Sequence, residues 1–271
     1  MHGSTFGEIT YTGRVKLFPD GSREILACSK PIFRAEGWEQ RDKPPRRKSG
    51  GGGGDMARAM RRARAQVRDL ALCNPFTHFV TLTLDPTQVD RHDMAAITRK
   101  LNAWLSNQVQ RRGLLYVLVP ERHKDGAIHF HGFFNDALDR IDSGTMIPPG
   151  GGRPRKPRSR AQAAAWAAEG GRVVWNLPGW SLGFTTALDL VGEYRRAVSY
   201  VCKYIGKQGD KPGGRWYYSG GGLARPAVEL VPLDWRDLAA QPGARVWEVP
   251  EAGAVFVSLW DPPQGVRNSE S

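Results

Sequence analysis

The stretch "LLYVLVPERHKDGAIHFHGFF", residues 114–134, contains two apolar runs on either side of a short polar segment. Lys124, Asp125 and Gly126 lie between the runs, and Asp-Gly is a strong signal for the turn of a β-hairpin. The runs "LLYVLVPERH" and "AIHFHGFF" are therefore predicted to be neighbouring antiparallel strands. The rest of the fold is predicted outward from this hairpin.

Two histidines of the second strand, His129 and His131, are predicted to share one face of the sheet. Alternate residues of a strand point the same way, with β-carbons about 7 Å apart, so the two imidazoles can converge on one metal ion. Glu121 on the first strand is the expected third ligand, and His123 is the second choice. The alternative interpretation is that both histidines are polar residues on a solvated strand face.

A second motif, "YVCKYIGK" at residues 200–207, is predicted to be helical. Residues four apart share a helix face, so Tyr200 and Tyr204 form one stripe, and Lys203 and Lys207 form another beside it. A tyrosine hydroxyl, with a pKa of about 10, becomes a nucleophile where a cation or metal favours its phenolate. Alternatively, the tyrosines fill a helix–sheet contact while the lysines extend into water.

Hydrophobic periodicity predicts the elements around these motifs. Strands are expected at 77–85 ("THFVTLTLD") and 184–191, and helices at 93–113, ending at Gly113, and at 192–209. The order strand, helix, hairpin, insertion, strand, helix predicts an α+β fold, with a central antiparallel sheet and helices packed on it.

Changes in composition predict the domain boundaries. Residues 1–54 form an N-terminal extension, with short strands around a Pro-Asp-Gly turn followed by a basic, Gly-rich linker. Residues 55–210 form the main domain, whose first helix is capped by Asp55. This domain carries a basic insertion near 139–172, with one helix at "RAQAAAWAAE". Residues 211–271 form a C-terminal extension with weak short-strand signals.

The chain carries a net charge of +12, concentrated in two regions. Residues 30–68 contain twelve basic and four acidic residues, and "RPRKPRSR" at 153–160 has five basic residues in eight. Such an excess favours nucleic acid as a partner, although basic runs also solvate loops. The side chains expected to contact a phosphate backbone, giving salt-sensitive affinity without sequence readout, are Arg58, Arg61, Arg62, Arg64, Arg68, Arg153, Arg155, Lys156 and Arg158.

Several classes of protein are not favoured by the sequence. Three widely spaced cysteines, Cys28, Cys73 and Cys202, suit neither a disulfide framework nor a cysteine-based zinc module. The sequence shows no signal peptide, no run of eighteen apolar residues and no P-loop motif. We therefore expect a soluble protein of a reducing cytoplasm without an ATPase site of its own.

In their order along the chain, three motifs resemble those of the HUH (His–hydrophobe–His) endonucleases. More narrowly, they resemble the two-tyrosine rolling-circle replication initiators, the microvirus A-protein type and related phage and plasmid initiators. "FVTLTLD" (79–85) resembles the first-motif strand, and "HFH" (129–131) resembles the metal motif, with Glu121 matching its acidic ligand. "YVCKYIGK" resembles the doubled Tyr-x-x-Lys motif. The resemblance covers roughly residues 76–208 and implies the Rep nuclease fold, whose sheet is RRM-like.

The resemblance implies a divalent metal ion, Mg²⁺ or Mn²⁺, held by Glu121, His129 and His131. The ion would polarise the scissile phosphate of DNA as a Lewis acid. Mg²⁺ prefers oxygen ligands, so two imidazoles suit Mn²⁺ better, but the sequence leaves the metal open.

The resemblance also assigns roles to the residues of the second motif. Tyr200 or Tyr204 attacks the phosphorus, leaving a 5′-phosphotyrosine and a free 3′-OH, and the other tyrosine acts at the end of a round. Lys203 and Lys207 hold phosphate or stabilise developing charge.

The implied partners are single-stranded DNA at a replication origin, a host DNA polymerase that extends the 3′-OH, and a separate helicase, in the cytoplasm of a bacterial host. A relaxase or a single-strand transposase would share this chemistry. Relaxases usually have a third histidine and an N-terminal tyrosine, and small transposases generally have one tyrosine. A noncatalytic protein that binds single-stranded DNA or RNA is the alternative from another class.

Overall fold

The computed structural model describes residues 8–35, 53–192, 194–207, 209, 211–250 and 253–262. Within them the strands are β1 (Glu8–Leu17), β2 (Arg23–Ala35), β3 (His78–Leu84), β4 (Tyr116–Arg122), β5 (Ile128–Phe134), β6 (Ile141–Ile147), β7 (Arg172–Asn176), β8 (Gly183–Asp189), β9 (Tyr218–Gly220), β10 (Ala227–Val231), β11 (Arg245–Val249) and β12 (Ala254–Asp261). The helices are α1 (Gly53–Cys73), α2 (Met94–Arg112), α3 (Arg160–Ala168), α4 (Tyr194–Tyr204) and α5 (Trp235–Ala239). The predicted α+β fold with antiparallel sheet is confirmed. No described helix combines the length and apolar character needed to cross a bilayer.

The chain divides into two compact units, and the division differs from the predicted boundaries. One unit is residues 53–224, and the other combines 1–52 with 225–271. The separate terminal extensions of the prediction are wrong, because β1 pairs with β10 and β2 pairs with β12 in one sheet. Two strands alone are marginally stable, so strands from both ends of the chain stabilise one another. The predicted linker lies largely outside the described residues.

The unit built from the chain ends is a five-stranded sheet in the order β10-β1-β2-β12-β11. Its β1–β2 hairpin turns at the predicted Pro-Asp-Gly signal, where Ser22 N donates to Asp20 Oδ1 at 3.0 Å. A small core, formed by Ala27, Leu238 and Val257, lies between this sheet and α5.

The larger unit contains a seven-stranded sheet in the order β6-β7-β8-β3-β5-β4-β9. The predicted β4–β5 hairpin is confirmed, with Glu121 opposite His129 and Val119 opposite His131. Gly126 in its turn has φ 85°, a conformation that glycine adopts without steric cost. Since β3 pairs with β5 on the other side, the first-motif strand lies directly beside the two histidines.

The basic insertion near 139–172 contains ordered secondary structure that extends the sheet. The strands β6 and β7 pair with each other, and β7 joins β8 through Trp175 opposite Ala187. Helix α3 confirms the predicted "RAQAAAWAAE" helix, and Ser159 caps it by accepting from Gln162 N at 3.1 Å. The sequence of β6, "IDSGTMI", shows no strand signal because this edge strand is mostly exposed and has no alternating apolar pattern.

Helices cover both faces of the larger sheet. Side chains of α2 pack on one face, in a cluster that includes Ile97, Leu101, Leu105, Val80, Leu82, Phe130 and Phe134. Side chains of α1 and α4 pack on the other face, in a cluster that includes Val67, Leu70, Val198, Val201, Val119 and Phe133. His129 and His131 point to this second face, because they alternate with the core residues of β5.

Helices α1 and α4 differ from their predicted bounds. Asp55 was expected as the N-cap of the first helix, but α1 begins at Gly53 and Asp55 lies within it. Helix α4 was expected to end at Gly209, yet it ends at Tyr204. Gly206 then has φ 72°, and a β-carbon there would lie 2.1 Å from Met60 Sδ. Packing against α1 therefore requires glycine at this position and ends the helix early.

Candidate active site

The structure brings most of the predicted site residues together where α4 ends above strands β3, β5 and β4. We call the following group the His131 cluster: Glu121, His129, His131, Tyr200, Tyr204 and Lys207. It joins the two motifs that are separated in the sequence by about seventy residues. The hairpin supplies the histidines and the carboxylate, and the end of α4 supplies the tyrosines.

Glu121 lies at the centre of the charged contacts. One carboxylate oxygen is 2.8 Å from His131 Nε2, and the other accepts from Lys207 Nζ at 2.7 Å. The side chains of Glu121 and His131 are only 15% and 13% exposed, so these contacts are shielded from solvent and stronger than surface ion pairs. Lys207 itself is exposed.

Two threonines of β3 hold the histidine rings from the other side. Thr81 Oγ1 is 3.1 Å from His131 Nδ1, and Thr83 Oγ1 is 3.3 Å from His129 Nδ1. A hydroxyl can donate or accept, so either tautomer of each ring finds a partner. The sequence reasoning missed these residues. Their signal was the alternation in "FVTLTLD", which places both hydroxyls on the histidine face once β3 pairs with β5.

The two tyrosines contact each other and the histidine. The Tyr204 ring stacks on the His131 ring, with centroids 4.2 Å apart and planes 12° from parallel. Tyr204 Oη donates to Tyr200 Oη at 2.6 Å. Burial, followed by this hydrogen bond, raises the pKa of Tyr204. Tyr200 packs edge-on against Phe79, with centroids 5.8 Å apart, and is 48% exposed. The two hydroxyls are therefore adjacent but in different surroundings.

The predicted second stripe of lysines is wrong, because the helix ends between them. Lys203 lies in the last turn of α4 and is exposed. Lys207 follows Gly206 in a turn, which directs its ammonium to Glu121 and to a point 5.3 Å from the centre of the Tyr204 ring. The hydrogen bond from Lys207 to Glu121 raises the pKa of Lys207, which keeps its charge in place near the tyrosine.

The donor atoms of the cluster fit a divalent metal ion in chemistry. Burial lowers the pKa of both His129 and His131, so both rings are neutral at pH 7, as metal ligands must be. Threonine partners at Nδ1 are the outer contacts that orient ligating histidines. Among the described residues, no three His, Cys, Asp or Glu side chains are grouped as a metal site, since Glu121 is engaged by His131 and Lys207. The His123 ring stacks on His129, with centroids 5.3 Å apart.

The predicted DNA-contacting residues fall into two groups. Arg64 and Arg68 are half-buried; Arg64 donates to Ile205 O at 2.8 Å and so ties α1 to the end of α4, and Arg68 contacts Asp69. The Arg155 guanidinium lies 5.3 Å above the Trp166 ring. The exposed members are Arg58, Arg61, Arg62, Arg153, Arg155, Lys156 and Arg158.

A second group of polar residues surrounds a buried histidine at the other end of β3. We call it the His78 cluster: Thr77, His78, Arg140, Trp175 and Asp189. Arg140 Nη1 donates to His78 Nε2, and also to Asp189 Oδ1 at 2.6 Å. Because a guanidinium can only donate, His78 Nε2 accepts and its Nδ1–H donates to Thr77 Oγ1 at 2.6 Å. Burial and the Arg140 charge lower the pKa of His78, which keeps the ring neutral.

Comparison with known proteins gives one family. Residues 77–209, just under half of the chain, match the family model of the replication-associated protein ORF2. No curated protein and no solved structure gives a significant match to the chain. The matched segment begins at β3 and includes the hairpin, α4 and every member of the His131 cluster. In this segment the chain is similar to the replication-associated proteins of the ORF2 family, and the similarity supports a protein of the rolling-circle replication-initiator type.

Proposed function

We propose that the chain nicks and rejoins single-stranded DNA through a tyrosine nucleophile to initiate rolling-circle replication. The observation that carries this proposal is the stacking of Tyr204 on His131 at 4.2 Å, with Tyr200 hydrogen-bonded to Tyr204. Two adjacent hydroxyls thus lie beside a His–Glu pair on a basic chain. The family similarity over residues 77–209 supports the same role.

Glu121, His129 and His131 would hold a divalent ion, Mn²⁺ or Mg²⁺. When bound, the ion supplies a Lewis acid that polarises the scissile phosphate. Binding it requires the Nε2 lone pair of His131, so the ring proton moves to Nδ1, where the Thr81 hydroxyl accepts it. The Glu121 carboxylate contributes the negative charge that two neutral imidazoles lack.

In the nicking step, a tyrosine oxygen bonds to the phosphorus and the bond from phosphorus to the 3′-oxygen breaks. The tyrosine hydroxyl proton passes to water, and the departing 3′-oxygen takes up a proton. The products are a 5′-phosphotyrosine and a free 3′-OH. The Lys207 ammonium, adjacent to Tyr204 and Glu121, offsets negative charge that develops on the phosphate and the phenolate.

We assign the first attack to Tyr200. It is the more exposed of the two tyrosines, and its oxygen accepts the hydrogen bond from Tyr204. That hydrogen bond stabilises a Tyr200 phenolate, while burial disfavours the Tyr204 phenolate. Tyr204 then acts in the second transfer, after DNA has occupied Tyr200 and the hydrogen bond between them is lost.

The substrate is single-stranded DNA at an origin, and the partners are a host polymerase and a helicase. Exposed basic residues on α1 and in the segment before α3 give the strand salt-sensitive affinity. Joining is the reverse of nicking, in which the 3′-OH attacks the phosphotyrosine and releases the tyrosine.

The test is formation of a covalent adduct between the protein and single-stranded phage or plasmid origin DNA with Mn²⁺, followed on denaturing gels. We expect the wild type to form the adduct. The double variant Tyr200→Phe/Tyr204→Phe should lose at least about 10³-fold in rate, because no nucleophile remains. Tyr200→Phe alone should slow the first nick more than Tyr204→Phe.

A matched control is Tyr217→Phe, since the Tyr217 hydroxyl donates to Gln66 Oε1 at 2.9 Å, away from the His131 cluster. This variant should form the adduct at the wild-type rate. An adduct that persists in the double variant would contradict the assignment of the nucleophile. The absence of an adduct from the wild type on every strand tried would favour a noncatalytic DNA-binding protein.

A further inference from the structure

A pocket lies next to the His131 cluster, on the side away from β3. Its open space is about 260 Å³, counted with the solvent at its mouth. This is below the range of about 300–1,000 Å³ that drug-sized ligands occupy, so it suits one small group. The pocket is lined by Pro120, Glu121, Arg122, Tyr204, Gly206, Lys207, Pro212, Arg215 and Trp216.

The lining of the pocket favours an anion. Three cationic side chains, Arg122, Lys207 and Arg215, face one carboxylate, that of Glu121. Both oxygens of this carboxylate are already in contact, one with Lys207 and the other with His131. The charge balance in the pocket is therefore positive.

Arg215 is the cation that sequence reasoning and the family similarity both leave out. It is exposed, and its guanidinium lies 5.6 Å from the centre of the Tyr218 ring. Stacking on an aromatic ring orients a guanidinium and leaves its edge N–H groups for a ligand. Arg215 follows the turn Pro212–Gly214 and precedes β9, which pairs with β4, so the strand that supplies Glu121 also anchors this segment.

Trp216 gives a second, independent observation. Its side chain lines the pocket and is 9% exposed, and no residue in the described part of the chain accepts a hydrogen bond from its buried Nε1–H. Buried donors are rarely left without a partner. An oxygen acceptor on a ligand, reached by a small shift of the lining side chains, would supply the missing partner.

We propose that this pocket binds a second phosphate of the DNA strand, next to the phosphate attacked by the tyrosines. The proposal rests on the proposed function, because it takes the ligand to be the strand cleaved at Tyr200 or Tyr204. Tyr204 and Lys207 line the pocket and belong to the His131 cluster, so a strand held at the tyrosines passes its mouth. Arg215, Arg122 and Lys207 contact the phosphate oxygens and fix the register of the strand.

The first measurement does not depend on cleavage. Binding of a twelve-residue oligo(dT) is measured by fluorescence anisotropy over a series of salt concentrations, without metal. Loss of one phosphate contact on a single strand reduces the slope of log affinity against log salt by about 0.7, so we expect that change for Arg215→Ala. Arg215→Lys should retain the wild-type slope, because it keeps the charge. Melting temperatures identify a variant that is misfolded.

A matched control is Arg99→Ala, which removes an exposed arginine from α2, the helix on the other face of the sheet. It should leave the slope unchanged. If folded Arg215→Ala also leaves the slope unchanged, the phosphate subsite is refuted, whether or not the protein cleaves DNA. If the slope falls but the wild type forms no adduct, the subsite stands as a DNA contact, and both the proposed function and the placement beside a scissile phosphate fail.

The second measurement places the subsite. A strand that the wild type cleaves carries one neutral methylphosphonate at each of the three phosphates on either side of the scissile one. We expect one position to slow adduct formation about tenfold in the wild type. In Arg215→Ala the same modification should have little further effect, because the contact is already gone. Equal effects in both proteins at every position would overturn the placement beside the tyrosines.

Discussion

The His131 cluster and the His78 cluster are built from similar parts and differ in what faces the histidine. Each has a histidine whose Nδ1 contacts a threonine hydroxyl and whose pKa is lowered by burial. In the His78 cluster, Nε2 accepts from the guanidinium of Arg140. In the His131 cluster, Nε2 faces the carboxylate of Glu121.

This difference separates a structural histidine from a reactive one. A guanidinium does not lose its proton in proteins, so Arg140 occupies the lone pair of His78 permanently. A carboxylate can instead share a cation with the imidazole beside it. A buried histidine next to a carboxylate is therefore not enough to indicate a metal site, since His78 also lies 3.3 Å from Asp189.

The largest expected difference between the clusters is in DNA cleavage. We expect His129→Ala to lower adduct formation by about 100-fold or more, because it removes a metal ligand, and to leave DNA binding almost unchanged. His78→Ala should form the adduct at close to the wild-type rate. Both variants are assayed on the same strand with Mn²⁺. Loss of cleavage in folded His78→Ala would break the comparison.

The second difference concerns the two lysines of the "YVCKYIGK" motif. We expect Lys207→Met to slow adduct formation by about tenfold, because Lys207 contacts Glu121 and faces Tyr204. Lys203→Met should slow it by about twofold at most, since Lys203 is exposed on α4. Single-turnover rates of the two variants, measured side by side, give the comparison. Equal losses would indicate that both lysines contact the DNA.

The third difference is in stability. We expect Arg140→Met to lower the free energy of unfolding by about 1–3 kcal/mol, because His78 and Asp189 lose their buried donor. Lys207→Met should cost less than about 1 kcal/mol, as its ammonium is exposed. Urea unfolding of the two variants measures both values. A larger loss in Lys207→Met would mean that Lys207 contributes more to stability than Arg140.

The smallest expected effect is on the pH dependence of stability. The pKa of His78 in the folded protein is below its ordinary value of 6.5, so the unfolded chain takes up a proton first. The contribution of neutral His78 is complete above pH 6.5 and is lost as the pH falls toward the lowered pKa. Between pH 7 and pH 5 the unfolding free energy of His78→Gln should therefore fall less steeply than that of the wild type. Parallel curves would contradict the neutral state of His78.

The hairpin and the elements around it were predictable, because their signals are local. The Asp125-Gly126 turn fixes the β4–β5 register, and that register sets His129 opposite Glu121. The periodicity of residues 93–113 and the stop at Gly113 predicted α2 within a residue at each end. Three of the cluster's residues, Glu121, His129 and His131, were thus identified as a group from strand geometry alone.

Other features depend on contacts between distant segments. The end of α4 is set by Gly206 against Met60, and this contact directs Lys207 away from the helix. The role of Arg64 depends on a carbonyl at Ile205, 141 residues further along the chain. The exposed edge strand β6 has no hydrophobic pattern that sequence reasoning could detect.

By itself, the sequence determined the antiparallel hairpin, the common face of its histidines, the helical pair of tyrosines and the basic character of the chain. These follow from periods of two and about four residues and from composition, which need no knowledge of the fold. The tertiary structure decided that Tyr204 stacks on His131, that Lys207 and not Lys203 faces Glu121, and that Arg215 and Trp216 line a pocket beside them. The physical reason is that these contacts join segments far apart in the chain, and only packing of α4 and of the segment before β9 against the sheet brings them within reach.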